Sequence, residues 1–225
     1  MYKPGFQEAS REQTSLLSGL EKQTLLWLAA RMPPAINSDH LTLIGLLSTL
    51  GAGLSYWFAR YQPVPGLLLA CVFLVANWFG DSLDGTLARY RNKQRPRYGF
   101  YVDHIVDAFG TTFLLGGLAL SGYMSVTVAL PLLVIYLILS IESYLTTYTM
   151  GKFQISYFKF SPTELRILLC IGNLYMLYDP HAVIAGQRML LFDVGGLVGM
   201  AGMSLMLVVT VIRHTRELYK AEPIP

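Results

Sequence analysis

The sequence predicts an all-α integral membrane protein, with six transmembrane helices behind an N-terminal amphipathic interfacial helix and both termini cytoplasmic. Three observations carry this expectation. The chain is 53% hydrophobic and only 14% charged, where a soluble domain carries about a quarter charged residues. Its apolar residues fall in long blocks and not at an amphipathic period. Nearly all of its cations fall in alternate connections between those blocks.

Residues 1–34 read as a tail followed by a surface helix. From about Glu12 to Met32, Leu16, Leu17, Leu20, Leu25 and Leu28 lie on one side, with Glu21, Lys22 and Arg31 elsewhere. Pro33-Pro34 ends the helix. Spanning the bilayer would put Glu21, Lys22 and Gln23 at its centre, so this segment is expected to lie on the surface. No signal-peptide pattern precedes it, and insertion is expected to rest on the spans themselves.

Residues 35–215 then hold six candidate spans, and 216–225 form a tail. The spans run roughly from His40 to Tyr61, Pro65 to Tyr90, Gly99 to Tyr123, Ser125 to Met150, Ser161 to Tyr178, and Gln187 to Thr215. Each offers about the 17 to 25 residues that a bilayer core demands. Turn and interface residues separate them: Gln62-Pro63, the run Arg91 to Arg97, Gly122, residues 151–160, and Asp179-Pro180.

With the N-terminus inside, every Lys and Arg lies on the inner side except Arg60 and Arg188. An odd number of spans would destroy that partition. The run Arg89 to Arg97 is then topology signal and lipid-headgroup contact. It is too short a connector to form a nucleic-acid surface. Cys71 and Cys170 sit inside apolar blocks, as small hydrophobes do.

A carboxylate inside a membrane span is costly and marks a functional site by default. This chain has two pairs. Asp81 and Asp84 are three residues apart and Asp103 and Asp107 four apart, so each pair shares a helix face. Asp81 lies about 13 Å before the helix end at Tyr90, and Asp103 and Asp107 about 6 and 12 Å past Gly99. Antiparallel neighbours would bring all four to comparable depth, facing one cavity. Four carboxylates repel unless protons or cations intervene, and an all-oxygen set favours Mg²⁺, Mn²⁺ or Ca²⁺. A purely structural ion cluster would need buried basic partners, and on the same helix Arg89 is the near one. Gly85 and Ala88 leave the same face open, and Arg89 could grip a phosphate.

Read together, Asp81-Ser-Leu-Asp84-Gly85-Thr-Leu-Ala88-Arg89 and Gly99-Phe-Tyr-Val-Asp103-His-Ile-Val-Asp107 resemble the signature of the CDP-alcohol phosphotransferases. That signature is D-x-x-D-G-x-x-A-R…G-x-x-x-D-x-x-x-D, and every specified residue matches. The spacer from Arg89 to Gly99 is one residue longer than is common, in a connecting loop. The resemblance implies a multi-pass cell-membrane enzyme of phospholipid synthesis, commonly a homodimer, with its site facing the cytoplasm. Such an enzyme transfers a phospho-alcohol or phosphatidyl group from a CDP-alcohol donor to a hydroxyl acceptor, releasing CMP.

By matching positions, Asp81, Asp84, Asp103 and Asp107 would hold one or two Mg²⁺ or Mn²⁺ ions, with Asp107 also the catalytic base. Asp84, Gly85, Ala88, Arg89 and Gly99 would line the CDP site, joined by Asn37 and Thr42 at the entry to the first span. Glu142, Lys152, Glu164, Arg166 and His104 are candidates for an acceptor pocket. The position of His104 after Asp103, with Tyr148-Thr-Met-Gly151 and Thr163-Glu164, is similar to the choline and ethanolamine branch, which acts on diacylglycerol. A CDP-diacylglycerol donor with a small polar alcohol fits the signature equally.

Two rival readings fit less well. Intramembrane prenyltransferases also use aspartate-bound Mg²⁺, echoed by Asn77 and Asp81, but lack the Gly-Ala-Arg element between acid pairs. A divalent-cation transporter needs polar residues continuing to the far side. Phe113 to Leu120 and Leu67 to Val75 are instead almost wholly apolar.

Overall fold

A computed structural model describes residues 18–150 and 161–222. Helix α1 (Ser18–Arg31) precedes α2 (Ser38–Ala59), α3 (Pro63–Tyr90), α4 (Pro96–Ser121) and α5 (Val126–Met150). Then come α6 (Pro162–Met176), a hairpin of β1 (His181–Ile184) and β2 (Gln187–Leu190), and α7 (Leu191–Ala221). Prolines at their first positions start α3, α4 and α6, where the missing N–H costs nothing.

Among the described residues, five helices are long and apolar enough to cross a membrane: α2, α3, α4, α5 and α7. The segment expected as a sixth span, Ser161 to Tyr178, forms α6 of only 15 residues. At 1.5 Å per residue it is about 22 Å long, short of a hydrocarbon core of about 30 Å. The hairpin follows it and leads into α7. Its two-residue turn has Ala185 and Gly186 both at positive φ, 50° and 79°, the twist that matches antiparallel strands.

Over its described residues helix α1 does not divide its faces by polarity. Leu25 and Ala29 are buried with Leu41, Leu83 and Leu87, while Leu20 and Trp27 are exposed. Glu21, expected on the polar side, turns toward α3 and α6.

Helix α2 is the spine, with α3 and α4 both packed along it. The close approach depends on glycine. A Cβ on Gly80 would lie 2.5 Å from the Gly45 nitrogen, and one on Gly117 would lie 2.1 Å from the Gly53 carbonyl oxygen. Small residues are how membrane helices bring backbones into van der Waals contact. A second core gathers Tyr56, Leu67, Leu118, Met176 and Phe192 at the other end of the bundle. There Tyr56 donates its hydroxyl to Asn173 Oδ1 at 2.9 Å.

Two of the cations in the basic run are structural anchors. Arg91 donates to the carbonyls of Met32, Pro33 and Ile36 at 2.8, 3.0 and 2.5 Å, and Arg95 pairs with Asp39. At the opposite end, buried Asp193 accepts from the Ser125 N–H at 2.6 Å and its hydroxyl at 2.5 Å, tying α7 to the turn before α5. Asp193→Ala would strand that N–H and is expected to cost about 2 kcal/mol, read as an earlier unfolding transition in detergent. Asp193→Asn, which keeps one acceptor oxygen, should recover most of it.

Candidate active site

Asp81 and Asp84 stand on α3, and Asp103 and Asp107 on α4. The two helices follow one another through a short loop, yet each packs mainly on α2. That leaves room between their acid-bearing faces. The carboxylates form one electrostatic group: Asp84 interacts with Asp81 and Asp103, and Asp107 with Asp81, Asp103, Asp84 and Arg166. Asp107 keeps surface exposure in the midst of these neighbours, so its carboxylate opens on a polar cleft.

Each acid on α3 is held by another helix. Thr42, near the start of α2, donates to Asp84 Oδ2 at 2.5 Å, and the Gly85 N–H reaches Asp84 Oδ1 at 2.5 Å. Thr42 is placed by the cap of α2. Asn37 accepts from the His40 N–H at 3.1 Å while His40 Nδ1 accepts from the Asn37 N–H at 3.3 Å. Asn37 is therefore a helix cap as well as a candidate nucleotide residue.

Asp81 has a partner that the sequence pattern did not reveal. Arg166 on α6 donates to Asp81 Oδ2 at 2.5 Å and, through Nε, to Asn77 Oδ1 at 2.7 Å. Buried Asn77 in turn donates to the Gly45 carbonyl at 3.0 Å, so one amide joins α2, α3 and α6. A cation within the apolar run Leu165-Arg-Ile-Leu-Leu was itself a signal that a buried acid must face it. Asn77 gave no comparable signal.

The acceptor-pocket candidates do not all converge. Arg166 lies at the acids. His104 shares its helix with Asp103, bonds the Phe100 carbonyl through Nδ1 at 2.5 Å, and stacks edge-on with Tyr144 at 4.7 Å. Glu164 is the capping partner of Ser161 at the start of α6. Glu142 turns to α7, where its Oε1 lies 2.6 Å from His214 Nδ1, and it also accepts the Thr146 hydroxyl of its own helix at 3.0 Å. Lys152 falls outside the described residues. Of the remaining CDP candidates, Arg89 is exposed and reaches the Thr86 hydroxyl at 3.3 Å, while Gly99 has open space around it.

A wall of hydroxyls on α5 escaped the sequence pattern. Tyr136, Ser140 and Tyr144 recur every four residues and hydrogen-bond along that stripe, and both tyrosines interact with Asp107. Cys71 and Cys170 are free thiols on α3 and α6, close enough for Cys71 Sγ to lie 3.9 Å from the Cys170 carbonyl.

The donor chemistry here is entirely oxygen, with an arginine and a threonine placed to orient it. Such a set suits a hard divalent cation and phosphate oxygens. Among the described residues, no three acids, histidines or cysteines are already drawn together into an ion cage.

These elements define a polyacidic site within a multi-pass helical membrane protein. The chain belongs to the CDP-alcohol phosphatidyltransferase family, whose model matches residues 37–212. It is also 33% identical over 87 residues to the archaetidylinositol phosphate synthase of Pyrococcus horikoshii. That match covers 39% of this chain and 43% of the relative, so the chain spans less than half the length of the curated relative it matches.

Replacing Thr42 by Val would remove the hydroxyl that orients Asp84 while preserving volume. The change leaves Asp84 Oδ2 without its donor from α2 and is expected to cost about 1 kcal/mol, read as an earlier unfolding transition in detergent.

Proposed function

We propose that the protein transfers a phospho-alcohol or phosphatidyl group from a CDP-alcohol to a hydroxyl acceptor and releases CMP. The observation that carries this reading is the pair of acidic faces on α3 and α4, interacting as one group inside the family match. Asp81, Asp84, Asp103 and Asp107 would hold one or two Mg²⁺ or Mn²⁺ ions. A bound ion would neutralise the bridging phosphates and make the acceptor hydroxyl more acidic.

The chain's own residues then divide the work. Asn37, Thr42, Gly85, Ala88 and Gly99 line the nucleotide, and Arg89 binds phosphate oxygens at the mouth of the cleft. Asp107 accepts the proton of the attacking hydroxyl. The acceptor oxygen forms a bond to the alcohol-bearing phosphorus, the phosphoanhydride bond breaks, and its electron pair leaves with CMP. Positioning and charge neutralisation carry most of such a transfer. The site faces the cytoplasm in this reading, because the cations of the chain cluster at the acid-bearing end of the helices. Two copies form the working enzyme, as the family resemblance implies.

The relative's name, a synthase of archaetidylinositol phosphate, favours the form in which a CDP-linked lipid would react with a polar alcohol. The His104 position supports the second form, in which CDP-choline or CDP-ethanolamine reacts with diacylglycerol. The test is CMP release by purified protein across both donor classes and a panel of acceptors, with Mg²⁺ and with Mn²⁺. Release with one donor class selects between the two forms; no release from any CDP-alcohol overturns the reading.

A further inference from the structure

Arg166 on α6 holds Asp81 on α3, and both of those helices are bonded by one residue of α1. Glu21 lies in the first turn of α1, outside the family match. A single oxygen of its carboxylate, Oε1, accepts the Trp78 indole N–H at 3.0 Å and the Thr163 hydroxyl at 2.5 Å. These two donors come from different helices, α3 and α6. Trp78 stands three residues before Asp81, and Thr163 three residues before Arg166. The bridge therefore lies one helical turn from the Asp81–Arg166 pair on both helices at once.

We propose that Glu21 is a positioning residue of the active site, clamping the start of α6 to α3 so that Arg166 meets Asp81. This rests on the reaction proposed above for its kinetic consequence, but not for its geometry. The start of α6 needs such a clamp. The helix is short, and the capping bonds between Ser161 and Glu164 run within its own first turn. Arg166 reaches the acids on a long side chain that keeps its orientation only while its backbone is held. A charged acceptor of two hydrogen bonds, half-buried, is stronger than a neutral one. Helix α1 thereby becomes part of the site without touching substrate.

Two measurements on the full-length protein test this. Hydrogen exchange reads the geometry: Glu21→Ala should speed exchange of the amides at 165–170 and leave those of α4 unchanged. Glu21→Gln, whose amide oxygen can accept both donors more weakly, should exchange between the parent and Glu21→Ala. Unchanged exchange in Glu21→Ala overturns the proposal.

Kinetics read the consequence. Glu21→Ala should lower kcat/KM by about tenfold, with Glu21→Gln restoring most of it. In an Arg166→Ala background, Glu21→Ala should cost less than about twofold further, because its effect runs through Arg166. Losses that multiply in full would show an independent structural role and overturn the proposal. A parent enzyme that releases no CMP would instead sink the proposed reaction and leave exchange to decide the clamp.

Discussion

Asp107→Asn is expected to abolish CMP release to within about a thousandth of the parent rate, with the folded protein recovered intact. The substitution is isosteric and sits at a position that retains surface exposure, so it removes a base and a charge without opening a cavity. Asp81, Asp84, Asp103 and Arg166 all act on Asp107. Asparagine cannot take a proton from an attacking hydroxyl and is a poorer ligand for a hard cation. Both losses fall on the same step. Full activity in Asp107→Asn would exclude it as base. The companion Asp81→Asn should also be inactive, and it additionally weakens the partner of Arg166. A loss confined to stability in that variant would reduce the acids to a structural cluster.

Gly80→Val, at a position that makes no contact with substrate in the proposed reaction, should damage both the fold and the activity. Its Cβ would stand 2.5 Å from the Gly45 nitrogen and 2.6 Å from the Leu41 carbonyl oxygen, and backbone cannot step aside as a side chain can. The α2 and α3 backbones must part, at a cost of about 3 kcal/mol. The damage reaches the cleft directly, because the same interface carries the Asn77–Gly45 bond and the Thr42–Asp84 bond. Gly202→Ala on α7, with nothing within 4 Å of the added methyl, is the matched control and should unfold like the parent. Thermal unfolding in detergent and CMP release together check this: Gly80→Val should lose both, and parent-like behaviour would show that the helices can separate freely.

Much of this was legible in the chain, and the boundary has physical causes. Long apolar blocks announce membrane helices because the bilayer accepts little else, and five of them appear as helices of sufficient length. Intramembrane acids stand out for the same reason, so Asp81, Asp84, Asp103 and Asp107 could be found by their cost. The length of α6 could not be read. Its apolar residues run on past the helix in the sequence, but the helix ends at Met176 and a hairpin takes over. The surface-helix pattern misplaced Glu21, since a polar residue on a short helix points equally well to water or to a buried donor. Only the positions of Trp78 and Thr163 choose between them.

Sequence by itself determined the membrane class, the family and the two acidic faces, because each is written in local spacing and in the energetic cost of charge within lipid. Tertiary structure decided which side chains hold those acids. Arg166 meets Asp81 across 85 residues, Thr42 meets Asp84 across 42, and Glu21 meets Thr163 across 142. Such pairs obey no period. They exist because glycine contacts let α2, α3 and α4 close to backbone distance, and because a desolvated polar group must find a partner wherever the fold brings one.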